Sequence, residues 1–313
     1  MALASEHLWS PVRWAENGGV RLAFDALTEG ADGEPLLLAT GLGVNRLWIP
    51  DELCRMLAAR GFAVARYDQR DSGESTHLPP APSRTPISAL FAKRETAYTA
   101  EDMADDAVAV MNALGWRSAH LLGVSLGGAV AQRVALRHAG RVRTLTSMAA
   151  VPGDISGLRT MRYIRMRTLA KFARLRFPDT PDGAVEAGIA VSRLLASPHR
   201  TFDERAAREA AERNADRGMH DQQAQSRQIG AQWHGPRISA ITRPTLILHG
   251  EDDPLIKPSA GRAIAARIPD SRLVLLPRVG HEFPACAWDR VTTEVRGLAT
   301  AYASRQLPSS AGD

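Results

Sequence analysis

Gly123-Val124-Ser125-Leu126-Gly127 is the stretch from which the rest of the chain can be read. It follows an apolar run, Ala119-His120-Leu121-Leu122. It precedes a helix-like stretch from Gly128 to Leu136. A strand, a sharp turn holding a serine, and then a helix make a nucleophile elbow. Glycines stand two residues before and after the serine because a tight turn leaves no room for side chains there. The turn forces the serine into a strained conformation that lifts its hydroxyl clear of the sheet. The first amides of the following helix can then face a developing negative charge.

Outward from the elbow, short β-type runs alternate with helix-type segments. Val20 to Phe24, Pro35 to Ala39 and Phe62 to Tyr67 read as strands, and so does Val142 to Met148. Trp48 to Arg60 is amphipathic and ends at Gly61; Thr99 opens a second helix with acidic residues in its first turn, running to Gly115. This alternation predicts an α/β fold of parallel βαβ units with both sheet faces covered. From about Gly153 to about Ser239 only helical signals remain. The basic stretch Ile155 to Arg176 reads as one amphipathic helix, with Leu158, Met161, Ile164, Leu169 and Phe172 turned inward; Glu204 to Arg213 reads as a charged one. Then Pro244 to Leu248, Ala260 to Ile268, Arg272 to Leu276 and Trp288 to Tyr302 restore the rhythm. The division expected is a core of residues 1–152 and 240–313 and a helical lid of residues 153–239. Pro79 to Pro86 reads as a loop, and the chain after Gln306 as a frayed tail.

The 313 residues, 44% hydrophobic and 23% charged, suffice for one large domain with an insertion. A net charge of +5 comes without a nucleic-acid-binding signature, which favours an Arg-rich enzyme over a nucleic-acid partner. The two cysteines, Cys54 and Cys286, lie far apart and argue against a disulfide framework or thiolate metal site. No signal-peptide pattern is visible, and no run approaches the ~18 apolar residues of a membrane span. A cytoplasmic location is the expectation. The basic stretch suits an anionic substrate, an acidic carrier protein or a membrane surface, and equally a solvated arginine face.

A serine hydroxyl needs a base to take its proton, and the base needs an orienting carboxylate. After an elbow the chain order is serine, acid, histidine. His281, preceded by Gly280 in the loop after the last strand, is the candidate base. His120, His138 and His249 read as structural. Glu251, Asp252 and Asp253 compete as the acid; Asp253 leads because Pro254 fixes the turn beside it, and Asp154 is remote. All these groups sit at the carboxyl ends of strands, where open parallel sheets place their sites. The oxyanion donors expected are the N–H groups of Leu126 and of Leu42, with Gly43 as the alternative to Leu42, in the turn Thr40-Gly41-Leu42-Gly43. Gly41 and Gly43, with Met161, Ile164, Phe172 and Trp233 from the lid, are candidate walls of an apolar pocket. Core packing explains the last four equally well.

With these residues in place the chain resembles the α/β-hydrolase superfamily from about Gly19 to Arg305, least in the lid. Asp68-Gln69-Arg70-Asp71-Ser72-Gly73-Glu74-Ser75 supports it, although Asp71 replaces the glycine of the common D-x-R-G-x-G-x-S form. Asp68 and Arg70 there read as loop pins without chemistry. Thr40 stands where many relatives have histidine, a change that backbone donors tolerate. The Arg-Asp-Ser-Gly stretch, the elbow and Trp48 to Leu53 are similar to the aclacinomycin methylesterase group, which removes a methyl ester from a polycyclic polyketide. The resemblance implies a mostly parallel eight-stranded sheet and a serine esterase acting on a small hydrophobic ester, with no cofactor or metal. Rival chemistries on the same triad are C–C bond, lactone or thioester cleavage and cofactor-free perhydrolysis; a different class is a non-catalytic ligand binder. Haloalkane dehalogenase and epoxide hydrolase chemistry is disfavoured, because those enzymes carry aspartate at the elbow.

Overall fold

A computed structural model describes residues 8–79, 97–178, 180–214 and 222–306. The Pro-rich loop from Pro79 and the tail after Gln306 lie outside them, apart from Pro79 itself. The first half runs β1 (Arg13–Asn17), β2 (Val20–Ala26), β3 (Glu34–Ala39), α1 (Asp51–Ala58), β4 (Phe62–Tyr67), α2 (Ala100–Ala113), β5 (Ala119–Val124), α3 (Leu126–Arg137) and β6 (Val142–Met148). Among the described residues, four α-helices follow: α4 (Met166–Phe172), α5 (Pro181–Leu195), α6 (Glu204–Asn214) and α7 (Gln222–Gly230). The second half closes with β7 (Thr245–Gly250), α8 (Ser259–Ala265), β8 (Ser271–Leu276) and α9 (Ala285–Gln306).

All eight strands form one sheet in the order β1-β2-β4-β3-β5-β6-β7-β8. The first two pairings are antiparallel, and β4 through β8 are parallel. Strand alternation divides the core into two layers. Leu37, Ala39 and Leu121 face the helices α2 and α3, while Leu36, Leu38 and Leu122 face α1 and α9. Each leucine so buried contributes roughly 1.5–3 kcal/mol. Helix α2 is fixed at its start by a capping box: Thr99 Oγ1 accepts from Asp102 N, and Asp102 Oδ2 accepts from Thr99 N. The chain leaves β4, passes beyond β3 and adds β5 on its far side. That reversal opens a crevice at the carboxyl ends of β3 and β5.

One strand carries no sequence signal, and one expectation needs correction. Strand β1, Arg13-Trp14-Ala15-Glu16-Asn17, is a polar edge strand with one buried side chain, so its sequence does not mark it. The basic stretch is not one helix. It forms a 3-10 helix over Gly157–Tyr163, turns extended at Ile164 and Arg165, and only then enters α4. Leu158, expected inward, is 62% exposed. The helix breaks because its backbone is used elsewhere. Arg165 N donates to Leu255 O, Lys257 N donates to Tyr163 O, and Ile164 bridges Ile256. Among the described residues no helix is long and apolar enough to cross a membrane.

Candidate active site

Strand β5 ends at Val124, and Ser125 stands at the turn before α3 with φ 56° and ψ −117°. A non-glycine residue in that region is strained. The turn is enforced from both sides. A Cβ on Gly123 would run into the Gly127 carbonyl oxygen, and one on Gly127 into the Ala39 carbonyl oxygen of β3. Ser125 N is itself tied to Met148 O of β6 at 2.8 Å. The serine is thus presented where three adjacent strands end.

Asp253 lies just beyond β7 and is fully buried. Its Oδ1 accepts from Leu255 N at 2.8 Å and Ile256 N at 2.7 Å, which aims Oδ2 at the next loop. There His281 Nδ1–H donates to Asp253 Oδ2 at 2.7 Å, and Ser125 Oγ–H donates to His281 Nε2 at 3.1 Å. Burial alone would push the Asp253 carboxyl up, but the neighbouring His281 and the hydrogen bonds of His249 and His281 hold it well below the usual carboxylate range. Burial acts downward on His281, and Asp253 outweighs it, so the imidazole is raised above its ordinary value. His249 sits against this pair: its Nε2–H donates to Ile256 O at 2.9 Å and lies 3.5 Å from Asp253 Oδ2.

The competing candidates are engaged elsewhere. Glu251 is exposed, and Asp252 accepts from Ser197 Oγ and contacts His199 Nδ1 at 2.6 and 2.9 Å. Asp154 pairs with Arg267 and accepts from Ile238 N. His120 bridges Glu34 and Thr144, its burial lowering the imidazole to about 4, and His138 contacts Asp105.

The turn after β3 lies against the serine, since a Cβ on Gly41 would meet Ser125 Cβ at 3.4 Å. Thr40 is buried, and its Oγ1–H donates to Val44 O, closing the turn. The Gly43 N–H is already used: it donates to Gln228 Oε1 of α7 at 3.1 Å. Leu126 is the first residue of α3, and its amide has no preceding helical turn to bond. Of the expected pocket residues, Ile164 packs with Tyr163, Ile256 and Ala260 under the acid loop. Met161 and Phe172 are half-buried on the insertion's own helices. Trp233 is half-buried and packs against the large core cluster, with its indole N–H donating to Pro236 O.

Each loop of this site is also held by a different part of the helical insertion. Arg165 Nε donates to Asp253 O at 2.9 Å, and Thr168 Oγ1 to Pro254 O. His281 N donates to Leu195 O at 2.8 Å, and a Cβ on Gly280 would strike that same carbonyl. Helix α7 reaches the β3 turn through Gln228. None of these tethers had a sequence signal of its own.

Residues 34–284 match the family described as alpha/beta hydrolase fold. The chain belongs to that family. Rhodomycin D methylesterase DnrP of Streptomyces peucetius is 30% identical over 296 residues, spanning 88% of this chain and 93% of the relative. DauP of Streptomyces sp. (strain C5), a second rhodomycin D methylesterase, is 31% identical with the same coverage. A putative carbamate hydrolase, RutD of Variovorax paradoxus, is 30% identical over 80% of this chain and 86% of its own length. Among solved structures, the esterase RhEst1 from Rhodococcus sp. ECU1013 superposes with a TM-score of 0.69 at 22% identity, covering 94% of this chain and all of that one (100%). The shared fold is what that likeness shows. With methylesterase relatives over most of its length, this α/β-hydrolase is an enzyme of the carboxylic ester hydrolase type.

In this α/β-hydrolase the 68–75 motif holds loops. Asp68 accepts from Arg46 N and pairs with Arg46 Nη1, while Arg70 grips Asp106 of α2 at 2.6 and 2.7 Å. Burial pushes the Asp68 and Asp106 carboxyls up, and their arginines offset part of that cost.

Proposed function

We propose that the enzyme hydrolyses a carboxylic ester through Ser125, His281 and Asp253. The observation that supports this most is the unbroken line from the strained Ser125 hydroxyl through His281 to the buried Asp253, at 3.1 and 2.7 Å. Ser125 Oγ attacks the ester carbonyl carbon while its proton passes to His281 Nε2. The N–H groups of Leu126 and Leu42 hold the oxyanion. His281 returns the proton to the departing alcohol. Water then attacks the acyl-enzyme, gives its proton to His281, and releases the acid as Ser125 is reprotonated. Asp253 stays ionised and stabilises the imidazolium that forms in each half.

The substrate class follows the methylesterase relatives: a methyl ester on a hydrophobic, polycyclic natural-product acid. The helical insertion acts as the lid over it. Ser125→Ala is expected to lower kcat on such an ester by at least ~10³-fold with the fold intact. A fluorophosphonate should label Ser125, and His281→Ala should abolish the labelling. Full turnover by Ser125→Ala would overturn the mechanism. A panel of methyl, aryl and thioesters tests the substrate class.

A further inference from the structure

Asp71 and Gln228 meet at one place, and the proposed chemistry leaves both unexplained. Asp71 has φ 63°, the left-handed region in which glycine is the ordinary choice. An aspartate there carries strain that some contact must offset. Both its carboxylate oxygens receive Arg227 of α7, each at 2.8 Å, and Oδ1 also accepts from Leu78 N. The pair is buried, with side-chain exposures of 0% for Asp71 and 8% for Arg227. It anchors one turn of α7 onto the loop that follows β4.

The next residue, Gln228, is buried at 1% exposure. Its amide spans two backbones of the core. Nε2–H donates to Arg70 O at 2.8 Å, and Oε1 accepts from Gly43 N at 3.1 Å. Gln225, one turn earlier, closes over Gly43, where an added Cβ would come within 2.6 Å of its amide nitrogen. A primary amide between a carbonyl and an N–H fixes both groups at once. The peptide plane that carries Gly43 N begins at Leu42, so holding Gly43 N restricts the φ and ψ through which the Leu42 N–H can turn.

We propose that Gln228 is a positioning residue for the oxyanion turn, and that the Asp71–Arg227 ion pair seats the helix that carries it. The inference rests on the esterase reading above. The site's oxyanion turn is then completed by the insertion, and the core alone does not set it. Lid seating and oxyanion-hole geometry become a single event. Asp71, in the glycine position of the motif, is the core's half of that connection.

The test compares Gln228→Met with the parent enzyme on p-nitrophenyl acetate, with rates counted per active site titrated to completion by a fluorophosphonate. Gln228→Met should lower kcat per titrated site about 10-fold, with KM unchanged, a loss smaller than that of deleting an oxyanion donor outright. The rate of fluorophosphonate labelling should fall by the same factor, since the phosphonyl oxygen uses the same donors. The pH profile should keep its midpoint, because His281 and Asp253 are untouched. The double variant Asp71→Asn/Arg227→Gln removes both charges together; asparagine tolerates the left-handed backbone. It should lose kcat in the same direction, and it serves if Gln228→Met does not fold. A folded variant of either kind with kcat per titrated site within twofold of the parent overturns the proposal, whatever happens to its melting temperature. Failure of the underlying reading looks different: Ser125 would not be labelled in the parent at all.

Discussion

The sheet under Ser125 and the helices above it are held by different forces. Strands β3, β4 and β5 are lined by Leu36, Leu37, Leu38, Val64, Leu121 and Leu122, all nearly inaccessible to solvent. Helix α7, by contrast, reads Gln-Gln-Ala-Gln-Ser-Arg-Gln-Ile-Gly and is secured by Arg227 and Gln228 bonding to core loops. Apolar burial is non-directional and tolerates small shifts. Hydrogen bonds and ion pairs fix particular atoms, and one lost partner leaves a buried polar group uncompensated. The sheet therefore supplies stability and the place of the serine, while the insertion supplies atomic registration of the loops around it.

Four substitutions probe that division, from the largest expected effect to the smallest. Asp253→Asn, on the sheet side, should lower kcat by about 10⁴-fold, because His281 loses its orienting anion. In the parent, kcat/KM should rise with pH through the His281 value, which Asp253 holds above the ordinary imidazole value. Neutral His281 is the base, so activity is lost as pH falls; steady-state rates across pH check both. Gly127→Ala forces a methyl against the Ala39 carbonyl and should cost about 4 kcal/mol in urea denaturation. Asp71→Asn, at the core's contact with the insertion, strands the buried Arg227 charge and should cost about 3 kcal/mol by the same measurement. An equally large loss of activity per folded molecule would show that registration matters as much as stability. Arg165→Met removes one bond to the Asp253 carbonyl and should cost about 1 kcal/mol, with kcat reduced only modestly.

The same contrast explains what could be read in advance. Strand β4 and the elbow are legible because burial writes itself as apolar runs and tight turns write themselves as glycine. The α/β class and the family follow from those. Asp253 and His281 stand out as candidates because the chain order and the strand ends restrict where an acid and a base can lie. The insertion resisted reading for a physical reason. Helix α7 has little apolar periodicity, and it is held by Arg227 and Gln228, whose partners lie more than 150 residues away in the chain. The break at Ile164 comes from backbone bonds to the acid loop, which leave no mark in the side-chain pattern. Trp233 stays ambiguous in the sequence because a large aromatic suits a pocket wall and a core alike.

The broken basic stretch has a consequence at longer range. Arg159, Arg162, Arg165, Arg167, Lys171, Arg174 and Arg176 are all exposed, and among the described residues none forms an ion pair. The chain has 39 basic and 34 acidic residues, so outside these seven the count is 32 against 34. The charges in the rest of the sequence nearly balance, so the molecule's positive surplus is carried by this exposed end of the insertion. Such a body turns in an electric field before it touches anything, and anions meet the insertion first. At low salt a cation-exchange resin should hold it by that end, more tightly than the same net charge spread evenly, and release it sharply as the Debye length shrinks.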